Sequence, residues 1–166
     1  MSKNDDRRAV LANALADHLL AQGLGAASLR PLAAAAGLSD RMLLYYFTDK
    51  ADALGAALTV VATRMTALLA AQAGPQPLPF DLLLPRLRTV LLSDAAWPYM
   101  QLWLEIAALA ARGDPLLRPL ATPIAHGFLA WGRAQLDSPD PDTDALKLLT
   151  ILEGSILLKG VGLAPD

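Results

Sequence analysis

Residues 28–50, SLRPLAAAAGLSDRMLLYYFTDK, decide how the rest of the chain is read. Ser28 stands where a hydroxyl can cap a helix, and Pro31 falls in the first turn of that helix, where Pro is tolerated. Four alanines follow, and then Gly37, which can take the left-handed conformation that stops a helix. Ser39 is placed to cap a second short helix over residues 41–47. Leu43 and Phe47 lie four apart and share its buried face, leaving Asp40, Arg41, Met42 and Tyr46 on the outer flank. Two short helices joined by a tight turn, the second with such an outer face, form a layout that can enter the major groove of DNA.

Upstream, the sequence predicts a first helix over residues 6–22, with Val10, Leu11, Ala14, Leu15, His18 and Leu19 at helical spacing and Gly23 and Gly25 ending it. Downstream, Thr48 is the expected cap of a fourth helix, with Asp49 and Asp52 in its positive first turn and Leu54, Leu58, Val61, Met65, Leu68 and Leu69 along it. GPQPLP (74–79) is the clearest break, beyond which a second helical domain begins. Its expected helices cover 80–92, 95–112, 115–136 and 143–161, separated by SDAAWP, RGDP and DSPDPD. Pro119 and Pro123 should kink the third of these or delay its regular start to near Pro123.

Composition bounds the class. The chain has 166 residues, 54% of them apolar and mostly Ala and Leu, which favours an all-α protein with a sizeable core. With no cysteine and two histidines far apart, thiolate chemistry is excluded and no metal-ligand spacing is seen. No nucleophile with a base and no phosphate-binding glycine loop appears, so an enzyme is not expected, nor is a cofactor. The N-terminal stretch lacks a secretory pattern, and the apolar windows 53–73 and 146–164 are interrupted by polar residues, so a cytoplasmic chain with no membrane span is expected.

The formal net charge is −2. Within residues 1–50 the cations Lys3, Arg7, Arg8, Arg30, Arg41 and Lys50 only just outnumber the five aspartates, so non-specific attraction to DNA is weak. A dimer presenting a few well-placed cations and backbone amides to each half-site can still bind specifically.

Residues 7–58 resemble the N-terminal domain of the TetR family of bacterial one-component transcriptional regulators. The segments RRAVLANALADHLLAQGLGAAS, SLRPLAAAAGLS and DRMLLYYFTDKADAL occur in the family's order and spacing for about fifty residues. The resemblance implies a three-helix DNA-binding domain at 1–50 (helix-turn-helix about 28–47), a connecting fourth helix at 51–73, and an antiparallel helical effector-binding and dimerisation domain at 74–166. It implies an effector-responsive homodimeric repressor on a palindromic double-stranded operator. The alternative is a ligand-binding or scaffold helical dimer that has lost DNA binding.

Carried over by position, the resemblance implies that Ser28 caps its helix and touches phosphate, that Ser39, Asp40, Arg41 and Met42 face bases or backbone, and that Tyr46 and Lys50 clamp phosphates. Tyr45 is expected in the core. Arg41 either reads guanine or neutralises phosphate. Leu44 replaces the first aromatic of the usual tyrosine pair, and Met42 stands where a small residue is frequent. In the body, Trp97, Met100, Trp103, Phe128 and Trp131 could line a pocket for a small-molecule effector, with Glu105 or His126 as its polar contact; ordinary core packing accounts for the same aromatics. The last two helices are expected to dimerise, with Leu149, Leu152, Ile156 and Leu157 on the shared face.

Overall fold

The computed structural model describes residues 3–163. Among them are eight α-helices, a short 3-10 turn at Leu24–Ala26 and one isolated parallel bridge between Leu78 and Leu136. The protein is all-α.

The head begins with α1 (Lys3–Gln22), whose buried side chains are Leu11, Ala12, Leu15, Ala16 and Leu19; Val10 points outward instead. Helices α2 (Leu29–Ala35) and α3 (Asp40–Tyr46) follow. Between them Gly37 takes φ +67, its N–H bonds to the Ala34 carbonyl at 3.0 Å and the Leu38 N–H to that of Ala33 at 2.9 Å. That paired pattern closes the last carbonyls of α2 and needs the left-handed residue that glycine supplies. Ser28 occupies the N-cap position of α2 in extended geometry but makes no capping hydrogen bond, whereas Ser39 accepts the Met42 N–H at 3.3 Å.

Helix α4 (Lys50–Ala73) is capped by Asp49, which accepts the Asp52 N–H at 2.8 Å, and not by Thr48. Two aspartates explain the shift: Asp49 takes the cap, and the Asp52 side chain accepts the Thr48 N–H at 2.9 Å. By length and composition α4 could cross a bilayer. Here Leu54, Leu58, Val61, Met65 and Leu69 are buried where α4 packs on α1, α5 and α7, while Leu68 is exposed.

Helix α4 is shared between two cores. Ala53, Leu54, Ala57, Leu58 and Val61 join α1–α3, together with Leu102, Ile106, Leu117 and Ala121 from further along the chain. Met65, Leu69 and Ala73 join the second core with α5 (Phe80–Leu91), the start of α6 (Trp97–Ala111) and α8 (Pro141–Gly160). Helix α7 (Leu117–Ala134) packs against α6 and α8. Asp114 caps α7, its Oδ1 accepting the Leu116 and Leu117 N–H groups at 2.9 Å each. That cap starts the helix at Leu117, and it runs through Pro123, so its start is not delayed there.

Candidate nucleic-acid interface and effector cavity

The head presents α3 outward because its other side is anchored. Leu43 and Phe47 are fully buried, and Arg8 of α1 locks the C-terminal end of α3 to α4. Arg8 Nη1 donates to the Tyr46 carbonyl at 2.8 Å and to Asp52 Oδ2 at 3.0 Å, Nη2 donates to Asp52 Oδ1, and the guanidinium lies 4.7 Å from the Phe47 ring centre. The two-pronged contact raises the Arg8 pKa and holds the Asp52 carboxyl below the usual carboxylate range, with the Thr48 N–H adding to the latter. No sequence motif marks Arg8 for this role; its partners are 38 and 44 residues away.

Ser28, Ser39, Asp40, Arg41, Met42 and Lys50 are all exposed, with Ser39 and Asp40 at the start of α3 and Lys50 at the first position of α4. Leu44 is also exposed. The two tyrosines are the reverse of the expectation. Tyr45 is 70% exposed, while Tyr46 is half-buried against the head core, the rings meeting edge to face at 5.1 Å. One position along a helix is a rotation of about 100°, so with Leu43 and Phe47 inward it is Tyr46, next to Phe47 in the chain and three after Leu43, that flanks the core.

The body holds a cavity of about 90 Å³ between α4, α5, α6, α7 and α8. Met100, Trp103, Phe128 and Trp131 are among the residues that line it. Trp97 and Glu105 do not. Trp97 lies on another side of α6 beneath Lys159, whose Nζ is 4.5 Å from its ring centre and also donates to the Leu92 carbonyl. Glu105 is exposed and points to the head, where Oε2 accepts the Leu24 N–H at 2.7 Å.

The cavity's charged group is Glu153, on α8. Both of its oxygens lie 3.0 Å from Trp103 Nε1, which donates to them. Burial pushes the Glu153 carboxyl up, and the indole N–H opposes part of that rise. The signal for Glu153 in the sequence, a lone carboxylate in the apolar run LLTILEGSILL, is of the same kind as that for Glu105 in LWLEIAALAA.

The expected dimer stripe is also corrected. Leu152 and Ile156 are buried inside the protomer and Leu149 lines the cavity, because that side of α8 closes the body core. Leu157 is exposed as expected, and the outward apolar stripe is Leu146, Ile151, Leu157, Leu158 and Val161. Among the described residues, no group of three His, Asp or Glu is placed to hold a metal ion.

The described residues thus form a helix-turn-helix head carried on a helical body with an internal apolar cavity. Their fold is that of the TetR family of transcriptional regulators. A proposed TetR-family transcriptional regulator from Rhodococcus sp. superposes with a TM-score of 0.77 at 20% identity, over 97% of this chain and 90% of that one. A proposed transcriptional regulator from Streptomyces coelicolor A3(2) gives 0.75 at 22% identity, over 97% and 91%. The multidrug binding protein EbrR, solved with proflavin, gives 0.69 at 27% identity, over 96% and 91%. No family model matches the sequence, and no curated protein matches it.

Proposed function

We propose that the protein is a non-enzymatic, sequence-specific transcriptional regulator of the TetR type, a cytoplasmic homodimeric repressor whose two heads read a palindromic operator and release it when a small effector fills the body cavity. The observation that carries this is the exposed start of α3, where Ser39, Asp40, Arg41 and Met42 stand clear of the protein on a helix whose opposite side is fully buried. Arg41 and Lys50 supply the cations, Ser28 and Ser39 the hydroxyls, and Tyr45 a phenol that Leu44 cannot offer. Tyr46, half-buried, is left a smaller part in phosphate contact than the sequence implied.

Helix α6 is the proposed transmission element. Trp103 faces the cavity, and Glu105, two residues later, holds the backbone of the 3-10 turn between α1 and α2. A ligand that binds the two arrangements of α6 with different affinity would therefore bias the heads. The outward stripe on α8 is the proposed dimer surface, since Leu146, Ile151, Leu157 and Leu158 along this one helix and Val161 at its C-cap are all exposed, and a partner helix would bury them.

The test is to pass randomised duplex DNA over the purified chain at near-physiological salt and sequence what is retained. An inverted repeat is the expected product. A folded dimer that retains nothing, with or without effector, would favour a ligand-binding dimer that has lost DNA binding, for which the exposed Leu44 and the acidic Asp40 at the reading edge are the specific observations.

A further inference from the structure

We propose that the body cavity is built for a compact aryl cation, held by the Glu153 carboxylate between aromatic walls. The inference rests on this cavity being the effector site and adds the chemical class of the effector.

Glu153 is the one charged side chain among the described residues that line the cavity. The rest of the lining is aliphatic or aromatic, with Trp103, Phe128 and Trp131 supplying ring faces. Arg8, Arg64 and Arg133 pair with Asp52, Asp17 and Asp142, and none of these pairs among the described residues involves Glu153. Its hydrogen-bond donor is the single N–H of Trp103, shared between both oxygens. One N–H leaves most of the acceptor capacity of a carboxylate unused.

If the only task at this position were to satisfy the Trp103 N–H, a neutral amide carbonyl would do it without placing a charge in apolar surroundings. A carboxylate there is costly unless something pairs with it. Burial raises the Glu153 pKa, and a bound cation would act in the opposite direction. A cationic ligand offsets the desolvation of the carboxylate, and its aryl portion replaces water against the rings. Electron-rich ring faces attract the same charge. A neutral ligand would leave Glu153 unpaired, and an anionic one would be repelled. The cavity of about 90 Å³ is smaller than the ~150 Å³ that takes a benzene ring, so its side chains must move apart to admit one ring with a short charged arm, and anything larger is disfavoured.

The experiment uses the full chain without DNA and three probes of similar size: 2-phenylethylammonium, the neutral 2-phenylethanol and the anion phenylacetate. Binding is followed by calorimetry and by tryptophan fluorescence. The cation is expected to bind about tenfold or more tighter than the alcohol, with phenylacetate weakest. Glu153→Gln should remove the preference for the cation while keeping the affinity for the alcohol. Equal affinity for cation and alcohol, failure of the cation to bind, or a preference that survives in Glu153→Gln would each overturn the proposal. Should the variant lose its helical circular dichroism, the order of the three probes on the unaltered chain decides alone. Because no DNA is present, a chain that prefers the cation yet enriches no operator keeps this inference and loses the regulator assignment, and the converse pair of results does the opposite.

Discussion

Glu105 and Leu24 join the two halves of the protein: the carboxylate of the one, on α6, accepts the backbone N–H of the other at 2.7 Å, across 81 residues of sequence. The chain passes beneath the same carboxylate at Gly23, which has φ +70 and ψ −174, a region open essentially to glycine alone. A Cβ there would lie 2.5 Å from Glu105 Oε1. Backbone conformation and close approach thus both require glycine at this point.

Replacing Glu105 with Ala should lower the unfolding free energy by ~1 kcal/mol, the usual worth of a net hydrogen bond at a solvent-accessible site. Gly23→Ala should cost more, ~1–3 kcal/mol from the backbone alone. Urea unfolding of both singles and the double separates the two causes. In the double variant the clash with the carboxylate is gone, so it should be less destabilised than the sum of the singles. Strict additivity would mean that Glu105 moves aside freely and does not hold the turn.

The Arg8–Asp52 pair predicts an acid-labile head. The folded Asp52 carboxyl titrates below its ordinary value, mainly because of Arg8, so its contribution is whole above that ordinary value, about 3.9, and is lost as pH falls through the lower folded value. Asp52→Asn should destabilise the protein by ~1 kcal/mol at pH 7, since the pair is only partly shielded from solvent. Its unfolding midpoint should also fall less steeply than that of the unaltered chain as pH drops below about 4, by the same linkage. Parallel acid profiles for the two proteins would remove Asp52 as the cause.

DNA binding should separate positions by role. Arg41 is exposed, so Arg41→Ala should leave stability unchanged and abolish selective retention of the operator, by ~1–3 kcal/mol against competing bases if it reads guanine. Lys50→Ala should instead weaken binding to all sequences alike and reduce the salt slope by about one ion. Of the tyrosines, removal of the hydroxyl from exposed Tyr45 should weaken binding more than its removal from half-buried Tyr46. Gel-shift titrations at two salt concentrations distinguish these patterns.

On α8, outward and inward leucines should fail differently. Leu157→Glu, at a site 55% exposed, should yield a folded monomer by sedimentation. Leu152→Ala, at a buried site, should cost ~2–5 kcal/mol of stability through the cavity it leaves. A Leu157→Glu protein that still sediments as a dimer would move the interface off this stripe.

Much of the head was legible because its signals are local. Gly37 stops α2, Ser39 caps α3, and the Leu43–Phe47 spacing orients it, each acting within a few residues. Where two local signals competed, as Thr48 and Asp49 did for the cap of α4, the expected boundary moved by one residue.

The body was legible as helices and breaks but not as faces. Runs such as WLEIAALAA on α6 and LLTILEGSILL on α8 are apolar nearly all round, so the sequence sets the helical repeat without setting which side meets which neighbour. That rotation is decided by packing between helices distant in the chain. Two carboxylates in similar sequence surroundings therefore took different partners, Glu105 the backbone of the head and Glu153 the cavity. By itself the sequence determined an all-helical chain with a helix-turn-helix near its start, because propensity, caps and apolar spacing act over one or two turns. Only the tertiary structure decided which tyrosine faces out, which carboxylate meets the cavity and which leucines of α8 remain exposed, because each depends on contacts that exist only once the helices have packed.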